Sequence, residues 1–153
     1  MIAEATPDGA VSPPAAVAKI ELSAGDWRQR LTPLSFAVLR QKSTELAFTG
    51  RYHKTAEPGV YRCAGCGTAL FHSRHKFDSR TGWPSFWAPA AQDNVYLASD
   101  QSLGMTRDEV LCRRCDGHLG HLFPDGPEPT GLRYCINSAA LVLDPAAPAQ
   151  SPE

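Results

Sequence analysis

The chain has 153 residues, 42% hydrophobic and 20% charged, with 15 basic side chains against 16 acidic ones. This describes one domain of ordinary size with enough apolar content for its own core. The charge balance excludes a protein whose work is neutralising phosphates, so no nucleic-acid partner is expected, and no apolar run approaches the roughly 18 residues of a membrane span.

Residues Met1 to Ala18 carry Glu4, Asp8 and several prolines, no Lys or Arg, and no continuous apolar stretch. That is not the pattern of a secretory leader, so the expected compartment is the cytoplasm, where thiols stay reduced. Residues 1–21 and 145–153, rich in Ala and Pro, read as loosely attached tails. The folded domain is expected over 22–144, as a monomer. Asp26 reads as the cap of a short turn through Arg30. Thr32 before Pro33 is a cleaner helix start, a hydroxyl cap followed by proline in the first helical position. That helix is expected to run to about Thr44. Beyond Gly50 and Pro58-Gly59 the text changes to strands and turns. Val60–Arg62 and Thr68–Phe71 read as a tight hairpin. Val95–Leu97, Glu109–Leu111, His121–Phe123 and the stretch Leu132 to Leu143 read as further strands. The fold class is mainly β, antiparallel, with short N-terminal helices as a cover.

Five cysteines in a reducing compartment point to metal binding or catalysis rather than to disulfides. Cys63-Ala64-Gly65-Cys66-Gly67 and Cys112-Arg113-Arg114-Cys115-Asp116-Gly117 are two CxxC knuckles. Two residues between thiolates let both sulfurs bind one ion, and glycine permits the tight turn. Together they supply the closed four-sulfur set of one structural zinc ion, with two redox dithiols as the alternative. Such a site leaves no open position for substrate. It leaves Cys135 as a single thiol not spoken for.

Cys135 lies in Gly131–Ser138, where Leu132, Tyr134 and Ile136 alternate with Arg133, Cys135 and Asn137. One face enters a core, and the other presents a thiol flanked by a cation and an amide. A neighbouring positive charge favours the thiolate, and Asn137 offers a hydrogen bond. His118 and His121 stand three apart in a glycine-broken segment and are candidates for proton transfer. Strict alternation puts His121 and Phe123 on one face and His118 on the other, and a bulge at Gly120 would bring both rings together. Trp83, between Gly82 and Pro84, is a candidate pocket wall, since aromatic faces suit sulfur-bound methyl groups. Phe86 and Trp87 read as core.

These motifs together resemble methionine sulfoxide reductase B, the zinc-containing type. The resemblance spans most of residues 25–143. It rests on Gly82-Trp83-Pro84-Ser85-Phe86, both knuckles, His118–Phe123, Asp125-Gly126-Pro127 and Pro129–Ser138. It implies two antiparallel sheets forming a small open barrel with N-terminal helices against it. It also implies reduction of the R epimer of methionine sulfoxide in peptides and proteins, which repairs oxidised proteins. By position, Cys135 resembles the nucleophile and His121 the acid that protonates the departing oxygen. His118 and Asn137 resemble groups that orient substrate, and Trp83 the wall that receives its methyl. Phe123 and Arg133 are expected beside the substrate, and Cys63, Cys66, Cys112 and Cys115 around the zinc. Many relatives carry a second cysteine where this chain has Thr81. A Cys135 sulfenic acid is therefore expected to meet an external thiol directly, such as thioredoxin, a glutaredoxin or a small thiol. Two rivals are a zinc-bearing binding module, which gives no reason for the free thiol, and a thiol peroxidase using the same Cys135.

Overall fold

The computed structural model describes residues 18–145. The tails expected within 1–17 and 146–153 lie outside the described residues. Packing begins slightly before the expected boundary: Ile20 donates its backbone N–H to the Arg114 carbonyl at 2.8 Å and lies against the core.

Two helices open the domain. The first, α1 (Ala24–Arg30), is capped by Ser23, whose hydroxyl accepts the Asp26 N–H at 3.1 Å. Asp26 is thus inside the first turn, where its charge suits the helix N-terminus, and is not the expected cap. The second, α2 (Pro33–Gln41), starts as expected, with Thr32 accepting the Ser35 N–H. It stops earlier than Thr44, because Lys42 turns left-handed (φ 59°) and Ser43 donates back to the Ala37 carbonyl. A tertiary contact rewards that turn: the Lys42 ammonium reaches the buried Glu109 carboxylate at 3.1 Å.

Among the described residues, nine strands follow. β1 (Gly59–Cys63), β2 (Ala69–His72) and β9 (Leu141–Pro145) make one antiparallel sheet in the order β2-β1-β9. The other six are β3 (Lys76–Phe77), β4 (Ser85–Phe86), β5 (Val95–Asp100), β6 (Arg107–Cys112), β7 (His118–Phe123) and β8 (Arg133–Ile136). They form a second antiparallel sheet in the order β3-β4-β8-β7-β6-β5. The two sheets are not hydrogen-bonded into a closed barrel. They meet through aromatic rings: Tyr61 and Phe71 of the first contact Phe86 of the second at 5.2 and 4.5 Å between centroids, and Phe71 also meets Tyr134. Each such pair contributes about 0.5–1.5 kcal/mol beyond the area it buries. The stretch 132–143 divides into β8 and β9 across a turn at Ser138–Ala140, and this break lets the chain leave one sheet and enter the other. Phe86 is core as expected, whereas Trp87 is half-buried, with its ring 4.2 Å from that of His75.

The helices cover one end. The Trp27 ring sits over Gly65 of the first knuckle, and Arg40 donates to the Cys115 carbonyl of the second at 2.8 Å. α2 also lies against β7 and the turn after β8.

Candidate active site and metal centre

The two CxxC knuckles are near copies of one another. In each, the first cysteine's carbonyl accepts the N–H of the residue after the second cysteine, Gly67 at 2.9 Å and Asp116 at 2.8 Å. That residue is left-handed in both, with φ 83° at Gly67 and 63° at Asp116. The second knuckle therefore makes its turn without glycine, which Asp tolerates better than most residues. Gly117 instead leaves room for the Leu39 side chain. All four sulfurs lie within 4.8 Å of one another, with Cys63–Cys115 at 3.7 Å and Cys66–Cys112 at 3.5 Å. A tetrahedron of thiolates about 2.3 Å from an ion places its sulfurs about 3.8 Å apart. The donor set and spacing fit a metal ion, and this is the one such cluster among the described residues.

Cys135 sits at the centre of the larger sheet. Its strand alternates as expected, with Tyr134 and Ile136 buried and Arg133 and Cys135 partly open. His121 of β7 is its partner on one side and Ser85 of β4 on the other. Gly120 makes the β7–β8 approach possible, because a Cβ there would run into the Cys135 carbonyl. β7 carries the expected bulge, one residue earlier. Val110 pairs with Gly120 and Leu111 with His118, so Leu119 is the extra residue. The two imidazoles thereby come together edge to face, with centroids 5.4 Å apart.

A cavity of about 230 Å³ opens over Cys135. His121, Trp83, Phe123, Arg133 and Asn137 line it, as the sequence suggests. His118 does not. It is 2% exposed and donates through Nδ1 to the Glu109 carboxylate, 2.8 Å away, while Nε2 has no protein partner among the described residues. Burial pushes its pKa below the ordinary imidazole value, against the pull of Glu109. Asn137 is on the wall, but its amide is engaged: Oδ1 accepts the Glu45 N–H and Nδ2 donates to the Leu119 carbonyl, both at 3.0 Å. The Trp83 indole is fixed by donation to the Glu45 carbonyl at 3.0 Å. Arg133 stacks on Phe123 at 4.3 Å and is held by a two-pronged pair with Asp125.

The charge of Arg133 favours the Cys135 thiolate, as the sequence suggests, but burial opposes it. Burial pushes the thiol pKa up. The charge of Arg133 and the hydroxyl of Thr81 pull the other way and are outweighed.

A family model described as the SelR domain matches residues 31–145. The chain belongs to the SelR-domain family. Among its relatives, the peptide methionine sulfoxide reductase MsrB of Bradyrhizobium diazoefficiens is 58% identical over 127 residues, 83% of this chain and 91% of its own length. The MsrB of Pseudomonas paraeruginosa is 55% identical over 129 residues, 84% of this chain and 98% of its own. That of Leptospira interrogans is 53% identical over 123 residues, 80% and 94%.

Sequence reasoning missed several groups of this SelR domain. Asp100, at the end of β5, accepts from His121 Nε2 at 2.7 Å, and that bond holds its carboxyl well below the usual carboxylate range. Arg107, its partner across the hairpin, lines the cavity. Glu109 holds His118, and Glu45 ties Trp83, Asn137 and Ala139 together. No local pattern marks these residues. Their partners stand 9 to 94 positions away in the chain.

Proposed function

We propose that this chain reduces methionine (R)-sulfoxide in peptides and proteins to methionine, with Cys135 as nucleophile and His121 as acid. The observation that carries this reading is the cross-strand pairing of His121 with Cys135 on the wall of one small cavity. Cys135 Sγ attacks the sulfoxide sulfur while the oxygen gains a proton. The substrate sulfur gains two electrons, Cys135 loses two, and the oxygen leaves on Cys135 as a sulfenic acid. The thiol's proton and the oxygen's proton balance, so none is taken up overall. Sulfoxide oxygen departs poorly unless protonated, and a positioned imidazole is worth about 10²–10⁴-fold there.

Of the two histidines, His121 suits the acid role. Its Nε2–H is held by the Asp100 carboxylate at 2.7 Å, and this leaves Nδ1 for the substrate. Burial lowers the pKa of His118, which is buried and does not line the cavity. His118 ties β7 to β6 through Glu109, and Asn137 ties the end of β8 to β7 through the Leu119 carbonyl. Trp83 and Phe123 supply faces for the substrate's methyl and methylene groups, and Arg133 supplies charge near the sulfur.

Thr81 lines the cavity, and every other cysteine belongs to the metal cluster. An external thiol therefore attacks the sulfenic acid, expels water and leaves a mixed disulfide, which a second thiol resolves. Thioredoxin, a glutaredoxin or a small thiol fits this role, in a reducing compartment such as the cytoplasm. Among the described residues no helix is long and apolar enough to cross a membrane. Cys63, Cys66, Cys112 and Cys115 would hold one zinc ion, which supplies structure and no catalysis because its donor set is closed. We read the domain as a monomer.

The test is turnover of separated R and S epimers with different thiol donors. The R epimer alone is consumed, and Cys135→Ser abolishes the reaction. Stoichiometric substrate without reductant adds one oxygen at Cys135. Full turnover by Cys135→Ser, or a disulfide joining Cys135 to a metal-site cysteine, overturns the proposal.

A further inference from the structure

The turn that joins β5 to β6 is bare. Every residue from Gln101 to Thr106 is exposed. Leu103 (φ 58°) and Gly104 (φ 69°) are both left-handed, and the Met105 N–H closes the turn on the Ser102 carbonyl at 3.1 Å. A side chain added at Gly104 would meet nothing within 4 Å. The turn nevertheless carries two apolar side chains into solvent, Leu103 at 80% and Met105 at 47% exposure. The chain has only one other methionine, Met1. A thioether open to solvent is readily converted to the sulfoxide by oxidants. The function proposed above acts on that group within a peptide, and this turn presents one.

We infer that Met105 is an oxidation site whose (R)-sulfoxide is reduced by Cys135 of a second copy of this chain. The inference rests on the proposed function. Hydrogen peroxide gives one oxygen atom to the Met105 sulfur, which loses two electrons, and the peroxide leaves as water. The R sulfoxide passes that oxygen to Cys135 of the other copy as a sulfenic acid, and the Met105 sulfur regains two electrons. Two external thiols then release water and leave as a disulfide. The S epimer stays. The register decides that two copies are needed. Glu109 of β6, His121 of β7 and Cys135 of β8 stand level across the sheet, so Met105 lies four residues along and two strands across from Cys135. At about 3.4 Å per residue and about 4.8 Å per strand, their backbones are about 17 Å apart. That is more than the two side chains together span. A second copy meets no such limit, because the whole turn is open to solvent.

The test uses the full, metal-loaded Cys135→Ser chain as substrate. It is treated with hydrogen peroxide, and the folded fraction that keeps its metal is isolated. Mass spectrometry of the peptide carrying Met105 is expected to show one added oxygen, and Met105→Leu in the same background removes that signal. A catalytic trace of parent chain with dithiothreitol then clears roughly half of the added oxygen, the R share, at a rate proportional to the parent concentration. The Cys135→Ser chain with dithiothreitol alone clears none. A methionine sulfoxide peptide in the same tube reports the reductase activity separately. If that peptide is reduced while the Met105 sulfoxide persists, the inference is overturned and the proposed function stands. If neither is reduced, both fall. Failure of peroxide to oxidise Met105, or clearance without parent chain, also overturns the inference.

Discussion

His121 and Cys135 occupy facing positions on two neighbouring antiparallel strands, so a substrate sulfoxide held over the sulfur brings its oxygen within reach of the ring. Facing residues in such a pair have Cβ atoms about 4.5–5.5 Å apart. His121→Gln is expected to lower kcat about 100-fold. Alkylation of Cys135 stays within a few-fold of the parent rate. Loss of both together in stopped-flow and alkylation assays would show that the histidine serves the thiol and not the oxygen.

Asp100 orients His121 and also contributes to stability. Its carboxyl is held below the unfolded value of 3.8, chiefly by the bond to His121. A depressed carboxylate stabilises the fold above its unfolded pKa, and that contribution is lost as pH falls through and below it. Denaturant midpoints of the parent chain should therefore fall from about pH 4 downward, and Asp100→Asn should flatten this acid limb. At neutral pH the same variant should lose about tenfold in kcat, because the ring is no longer aimed.

Removing the ion should unfold the domain. Four-thiolate sites contribute on the order of 10 kcal/mol of binding energy, comparable with the whole stability of a small domain, about 5–15 kcal/mol. One zinc per chain is expected by elemental analysis. A strong chelator or Cys115→Ser should abolish the cooperative thermal transition. A chain that keeps its transition and its turnover without metal contradicts the closed clamp.

Gly120→Ala tests the approach of β7 to β8. The added methyl meets the Cys135 carbonyl, so the strands must part where His121 faces Cys135. A cost of about 2–3 kcal/mol is expected, seen as a clear drop in Tm, with kcat falling beyond what stability explains.

Trp83→Phe keeps a ring on the cavity wall but removes the donor to the Glu45 carbonyl. The wall loosens. KM for a sulfoxide peptide should rise several-fold, in line with loss of about 1 kcal/mol, while kcat changes little.

Much of this was legible locally. Thr32-Pro33 reads as a helix start because capping is a matter of adjacent residues. The alternation through Tyr134 and Ile136 reads as a strand with Cys135 on its open face for the same reason. Even the bulge in β7 is signalled by Gly120, one residue from its place. Asp26 misled because an acidic residue suits both the cap and the first turn, and only Ser23 reaches the free N–H. The spacing of His118 and His121 places two imidazoles near each other without saying which one meets the cavity and which is buried against Glu109.

Residue type and spacing alone determined the partition of the thiols, four sulfurs in two knuckles and one left over, because ligand geometry in a CxxC turn is a property of four consecutive residues. The tertiary structure decided the surroundings of the fifth sulfur and of the two histidines. Those depend on burial and on carboxylates from distant strands: Asp100 reaches His121, Glu109 reaches His118, and the depth of Cys135 outweighs the charge of Arg133 two residues away. Desolvation is set by everything packed around a group, and no stretch of sequence contains it.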